Sequence, residues 1–196
     1  MATQTTAVKD PNRIMLKRVR LSYPSIFKAT AMKGEPPEKA VFSASFILDK
    51  TDHATLIKTI KEAAERVITE KWGKTRPKGI KVGLRDGAEK ADTDGYGEGI
   101  MFLGARDKQK PEVIDAIRAA DGTFPRLTET DGRPYAGCYV NATVRIWAQD
   151  NQFGKRVNFG LGNIQFAAHG EPFGEGRVAA DSEFDEEEQE HNPLLD

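Results

Sequence analysis

Apolar and polar residues alternate along several short stretches of this chain, and they follow a helical period along one. In Val41–Leu48, Phe42, Ala44, Phe46 and Leu48 share one face, and Val41, Ser43, Ser45 and Ile47 share the other. That period of two is the pattern of a strand. Residues 138–149 alternate more cleanly still. Val140, Ala142, Val144, Ile146 and Ala148 point one way, and Tyr139, Asn141, Thr143, Arg145 and Trp147 point the other. Residues 13–21 mix β-branched and basic side chains and read as a strand that Tyr23-Pro24 ends, because proline cannot donate to a ladder. Short strands are also expected at 100–105 and 157–167, the second reached through a turn at Asn151-Gln152-Phe153-Gly154. Gly160 and Gly162 interrupt it and indicate a bulge or a barrel corner.

The helical stretch runs from Asp52, read as its N-cap, to Trp72. Leu56, Ile57, Ile60, Ala63, Ala64, Val67 and Ile68 recur there at intervals of three and four, and Gly73 stops it. Residues 28–39, with Gly34, Pro36 and Pro37, form a loop. Residues 73–98 are rich in Gly, Lys, Arg and Asp, keep no period, and read as a long functional or partly disordered loop. Residues 111–117 fit a strand or a helical turn equally well, and Asp131-Gly132 marks a turn. About five strands with one long helix after the second exclude both a β-α-β alternation and a helical bundle. They leave a mainly β fold: a small closed or partly open barrel carrying a helix and long loops.

The 196 residues allow one such domain with appendages. The expected division is a flexible N-terminus at 1–12, the domain at 13–175 and a disordered acidic tail at 176–196. No stretch approaches the ~18 apolar residues of a transmembrane helix, so no membrane partner is expected. Met1–Thr6 lacks the features of a signal peptide. A single cysteine, Cys138, excludes an internal disulfide and fits a reducing, cytoplasmic setting, such as a host cytoplasm for a phage product.

Charge sharpens this picture. The chain has 29 basic and 30 acidic residues, but eight of the acidic ones lie from Asp181 onward, where there is no Lys or Arg. The body ahead of that point has 29 basic against 22 acidic residues, about +7, and the tail is −8. Opposite charges joined by one chain attract each other, and a basic body favours a polyanionic partner.

The outward face of the strand at 139–148 adds the candidate chemistry. Binding single strands requires flat aromatic platforms for bases and cations for phosphates, and Tyr139, Arg145 and Trp147 supply both along one strand. The same aromatics would serve equally well as packing under a loop or the helix. Basic clusters with nearby aromatics extend the candidate surface. Lys17, Arg18 and Arg20 lie on the first strand, and Lys74 and Arg76 follow the helix beside Trp72. Lys155 and Arg156 follow the turn beside Phe153. Each cluster alone reads as a solvated face; together they favour nucleic acid.

Enzyme motifs fail by contrast, and neither a catalytic residue nor a cofactor is expected. Gly73-Lys74-Thr75 has the end of a Walker A loop, but Ile68 stands where its first glycine belongs. Asp92, Asp94 and Glu98 lack EF-hand spacing, since Tyr96 and Leu103 occupy ligand positions. Cys138 lies in a strand without a His partner, and His53, His169 and His191 are too scattered for zinc. No metal is expected, although a nuclease-type carboxylate pair at 92–98 stays open.

Four segments resemble phage-encoded single-stranded DNA-binding proteins with an OB-fold and an acidic C-terminal tail. They are Leu21-Ser-Tyr-Pro-Ser-Ile-Phe27, Phe42-Ser-Ala-Ser-Phe-Ile-Leu48, Tyr135-Ala-Gly-Cys-Tyr-Val-Asn141 and Gly160-Leu-Gly-Asn-Ile-Gln165. The resemblance covers residues 13–175 and the tail. It implies an OB-like five-stranded barrel and a protein of DNA replication or recombination that coats single strands, with replication proteins recruited through the tail. The corresponding tail residues are Phe184, Asp185, Glu186, Glu187 and Glu188, with the apolar tip at Leu194 and Leu195. Such tails end in an aromatic residue in the best-known relatives, whereas this chain ends in Asp196. A homo-oligomer is compatible with this reading. The alternatives are a ring-forming annealing mediator of recombination and a metal-dependent nuclease.

Overall fold

The computed structural model describes residues 10–174, so the expected acidic tail and all but the last residues of the N-terminal segment lie outside it. Within these residues the chain is mainly β. The strands are β1 (Arg13–Thr30), β2 (Val41–Asp49), β3 (Lys81–Val82), β4 (Leu84–Asp86), β5 (Ile100–Asp107), β6 (Val113–Ile114), β7 (Tyr139–Asn151) and β8 (Gly154–Ala168). The one α-helix is α1 (Ala54–Trp72).

Five of the strands close a barrel. β1 pairs with β2 and β7, β2 with β5, and β7 with β8, all antiparallel. A single parallel pairing of Ala105 on β5 with Phe159 on β8 completes the ring. This is the OB-like barrel implied above. Its interior holds the alternating apolar sets: Ala44, Phe46 and Leu48 from β2, and Val140, Ala142, Val144 and Ile146 from β7. α1 buries Ile57, Ile60, Ala63, Ala64, Val67 and Ile68 against the same core.

Four sequence expectations are corrected. β1 does not end at Tyr23-Pro24 but runs on to Thr30, with register shifts between Leu16 and Val19 and again between Ser22 and Ser25. A bulge lets the strand bend and leaves Pro24 out of the ladder it could not donate to. Asp52 is not the N-cap of α1. His53 holds that position without a side-chain cap, and Asp49, one turn earlier, accepts from the Thr51 and Asp52 N–H groups. Residues 73–98 are not one long loop. They contain β3, which pairs in parallel with β8, and β4, which pairs with β5. Strands of two and three residues are too short to show a period. Cys138 lies just before β7 rather than inside it, buried, with its thiol pushed up to about 11 by desolvation.

Of the two glycines expected to mark a bulge, Gly162 does: β8 holds an extra residue between Leu161 and Ile164, opposite Ala142 and Val144, while Gly160 stays in register with Arg145. A Cβ on Gly162 would lie 2.2 Å from Thr143 Oγ1, so only glycine fits where the two backbones close in. The neighbouring Asn163 N–H donates to that same Oγ1 at 3.0 Å.

Candidate nucleic-acid interface

The outward row of β7 runs Tyr139, Asn141, Thr143, Arg145, Trp147. The eight residue steps from its first to its last member span roughly 26 Å at ~3.3 Å per residue. The two aromatics at its ends therefore sit in different surroundings.

At the far end Trp147 is 43% exposed, although most large apolar side chains among the described residues are buried. It lines a groove of about 820 Å³ between β7, β8 and the end of β5. Arg13, Arg106, Lys108, Lys110 and Arg145 surround it, with Asp10 and Asp107 as the opposing charges. The groove takes this shape for local reasons. Register places Arg13 opposite Arg145 and Arg145 opposite Gly160, so neighbouring strands bring cations and a side-chain-free position together. The chain then leaves β5 through Lys108-Gln109-Lys110, which lines the same groove. Of the residues expected at a DNA surface, the groove gathers Arg145 and Trp147. It adds Arg13, Arg106, Lys108 and Lys110, which sequence reasoning had not singled out. Lys108 and Lys110 follow a strand end directly, and that position was the available signal.

At the near end Tyr139 is half-buried, with the guanidinium groups of Arg18 and Arg20 each 5.7 Å from its ring centre. Arg20 is already engaged: it donates to the carbonyls of Gly137 and Glu171 and lies 4.2 Å over the Phe173 ring. Lys17 and Arg18 are exposed at the first bulge of β1, where Arg18 takes φ 52°.

The remaining expected residues lie on the β7–β8 hairpin and at the end of α1, which the Trp72–Asp150 bond ties together. Phe153 is 71% exposed at its tip. Arg156 is exposed, and Lys155 pairs with Asp150 at 3.2 Å. Trp72, at the end of α1, packs half-buried against the core and donates its indole N–H to Asp150 at 2.8 Å. Those contacts hold the Asp150 carboxyl below its usual range, the Trp72 bond most strongly and the Lys155 bond next. Arg76 is paired with Glu65 at 2.7 Å, and Lys74 is exposed. The twelve residues thus divide into groove, near end, hairpin and the end of α1.

At the acidic stretch 92–98, Asp94 accepts from the Gly174 N–H at 2.8 Å, a structural bond between loops. Among the described residues no three His, Cys, Asp or Glu side chains converge as a metal site would require. No described helix is long and apolar enough to cross a membrane.

The family model described as the ssDNA-binding protein of Enterobacter phage Enc34 matches residues 12–194. This chain belongs to that family. It is 40% identical over 183 residues to putative protein p50 of Acyrthosiphon pisum secondary endosymbiont phage 1, covering 89% of this chain and 93% of that one. Among solved structures it resembles the single-stranded DNA-binding protein from bacteriophage Enc34 in complex with ssDNA. That likeness has 26% identity and a TM-score of 0.68, covering 86% of this chain and 97% of the other. The bacteriophage T7 single-stranded DNA-binding protein gp2.5, at 12% identity and a TM-score of 0.50 over 80% of this chain and 91% of that one, shares the fold alone. Membership in the Enc34 family bears out the sequence resemblance and sets the chain among DNA-binding proteins rather than enzymes.

Proposed function

We propose that this chain binds single-stranded DNA without sequence preference, along the groove that Trp147 lines. The observation that carries the reading is one exposed indole beside five cations in a single concave surface. Trp147 offers a face to any base, a stacking worth ~1–3 kcal/mol that does not distinguish sequence. Arg13, Arg106, Lys108, Lys110 and Arg145 meet phosphates, and the guanidinium groups can also stack on bases. The Enc34 protein whose structure contains ssDNA supports the choice of ligand. The biological setting we infer is phage DNA replication or recombination.

The acidic tail completes the reading. Its eight negative charges are tethered to a body of about +7, so it competes with DNA for the basic surface. DNA then frees the tail to recruit replication proteins, through Phe184 and the acids Asp185, Glu186, Glu187 and Glu188, with Leu194 and Leu195 at the tip.

Titrating fluorescent oligonucleotides, single-stranded against duplex, tests the reading. The single strand should bind more tightly and lose affinity steeply with salt. Equal affinity for the two forms would overturn it.

A further inference from the structure

Two carboxylates line the groove among its cations, and one of them, Asp10, is fixed in place by the turn that leads into β1. Asp10 stands directly before Pro11. Proline fixes its own φ and restricts the residue ahead of it to extended backbone, so this dipeptide is stiff. The Asp10 carbonyl accepts from the Arg13 N–H at 3.0 Å. Its Oδ1 accepts from the Asn12 N–H at 2.9 Å, closing an Asx turn. The Asn12 carbonyl in turn accepts from the Ile146 N–H at 2.8 Å, which ties the turn to β7. The other carboxylate oxygen, Oδ2, meets Arg145 Nε at 3.1 Å.

Arg66, an exposed residue of α1 that does not line the groove, grips this turn from the side. Its Nη2 donates to the Pro11 carbonyl at 2.6 Å, and its Nη2 and Nε each lie 3.4 Å from Asn12 Oδ1. Glu62 and Glu70 stand one helical turn to either side of Arg66, at the spacing of an ion pair. Among the described residues, however, the ion pairs of α1 are Lys58–Glu62 and Arg76–Glu65. Arg66 spends its guanidinium fork on a neutral turn instead, and that turn carries the groove's carboxylate.

We infer that Arg66 is a positioning residue for strand binding. By pinning Pro11 and Asn12 it keeps the Asp10 carboxylate on Arg145, where the carboxylate stands in for a phosphate until a strand displaces it. Register explains why a stand-in is needed. Arg13 and Arg145 face each other on β1 and β7, and like charges directly opposite on neighbouring strands repel. An anion between them relieves the repulsion, as the Asp10 carboxylate in the free protein and as a phosphodiester in the bound one. This inference rests on the groove reading, since it has phosphates meet Arg145, and the two can fail separately. Charge alone predicts the opposite sign for the test. Arg66→Ala removes a cation from a body of about +7, which should weaken the attraction for DNA. The latch predicts tighter binding, because Asp10 is no longer held against Arg145.

Wild-type full-length protein, Arg66→Ala, Asp10→Asn and the double variant are titrated with a fluorescent oligothymidylate at low and at high salt. At low salt Arg66→Ala should bind about two- to five-fold more tightly, the range that an exposed ion pair spans. The double variant should bind no more tightly than Asp10→Asn alone, because both changes undo one contact. The gains should vanish at high salt. Melting curves establish that each variant is folded. Alanine suits an exposed helical position, and Arg66→Gln takes its place if the alanine variant does not fold. Weaker or unchanged binding by Arg66→Ala beside a gain for Asp10→Asn would overturn the positioning role and leave the groove intact. Gains that multiply in the double variant would do the same. If neither single variant gains at low salt, Arg145 meets no phosphate and the inference falls. No preference of the wild type for single strands over duplex would remove the groove reading itself, and this inference with it.

Discussion

Asp10 Oδ2 lies 3.1 Å from Arg145 Nε at the mouth of the groove, so the chain itself neutralises one of the five groove cations. The Arg145 side chain is 71% exposed, and an exposed pair of this kind is worth only ~0.2–1 kcal/mol. A phosphate can replace the carboxylate at little cost. Asp10→Asn should therefore raise single-strand affinity about two- to five-fold at low salt. The gain should vanish at high salt, where the pair is screened. Anisotropy titrations at two ionic strengths check this.

Trp147 distinguishes stacking from packing. Trp147→Ala should weaken single-strand binding by ~1–3 kcal/mol while leaving the melting temperature nearly unchanged. Loss of ~3–5 kcal/mol of stability, as for a buried aromatic, would identify it as core instead. Binding and melting curves on one preparation separate the two. Tyr139→Ala should have the smaller effect on binding, because Arg18 and Arg20 already cover that ring.

Five cations set the salt dependence. If all five neutralise phosphates on a single strand, log affinity should fall against log salt with a slope of about −3.5. Arg145→Ala and Lys108→Ala should each flatten it by roughly 0.7. A slope that neither substitution changes would place the DNA elsewhere.

The Trp72–Asp150 bond is expected to serve stability rather than binding. Trp72→Phe should lower the melting temperature and leave DNA affinity unchanged. Asp150 has a folded-state value below its ordinary one, so its contribution is complete above the ordinary carboxylate range. It is lost as the pH falls through the lowered value. Wild type and Trp72→Phe should therefore converge in stability under acid, which melting curves across the pH range would show.

Deleting residues 181–196 should raise single-strand affinity, most at low salt, and abolish capture of replication proteins while the melting temperature holds. Unchanged affinity at both low and high salt would make the tail a solubiliser or a distant tether.

The sequence by itself determined the barrel's inner lining, its one helix and the charge division. Each of these is written in local order: a period of two on β2 and β7, intervals of three and four on α1, and an acidic run after Asp181. The bulge at Gly162 was legible for the same reason. Tertiary structure decided what depends on contacts between distant segments. The extension of β1 past Pro24 needed the bulges that its partner strands stabilise, and β3 and β4 exist only because β8 and β5 offer them edges. The groove was divided in the same way. Arg145 and Trp147 share a strand and were visible together. Arg13, Arg106, Lys108 and Lys110 join them only when strand register and barrel closure bring three separate stretches to one face. Trp72 and Trp147 both stand beside basic residues in the sequence. Only the fold buries half of one against the core and leaves the other open in the groove.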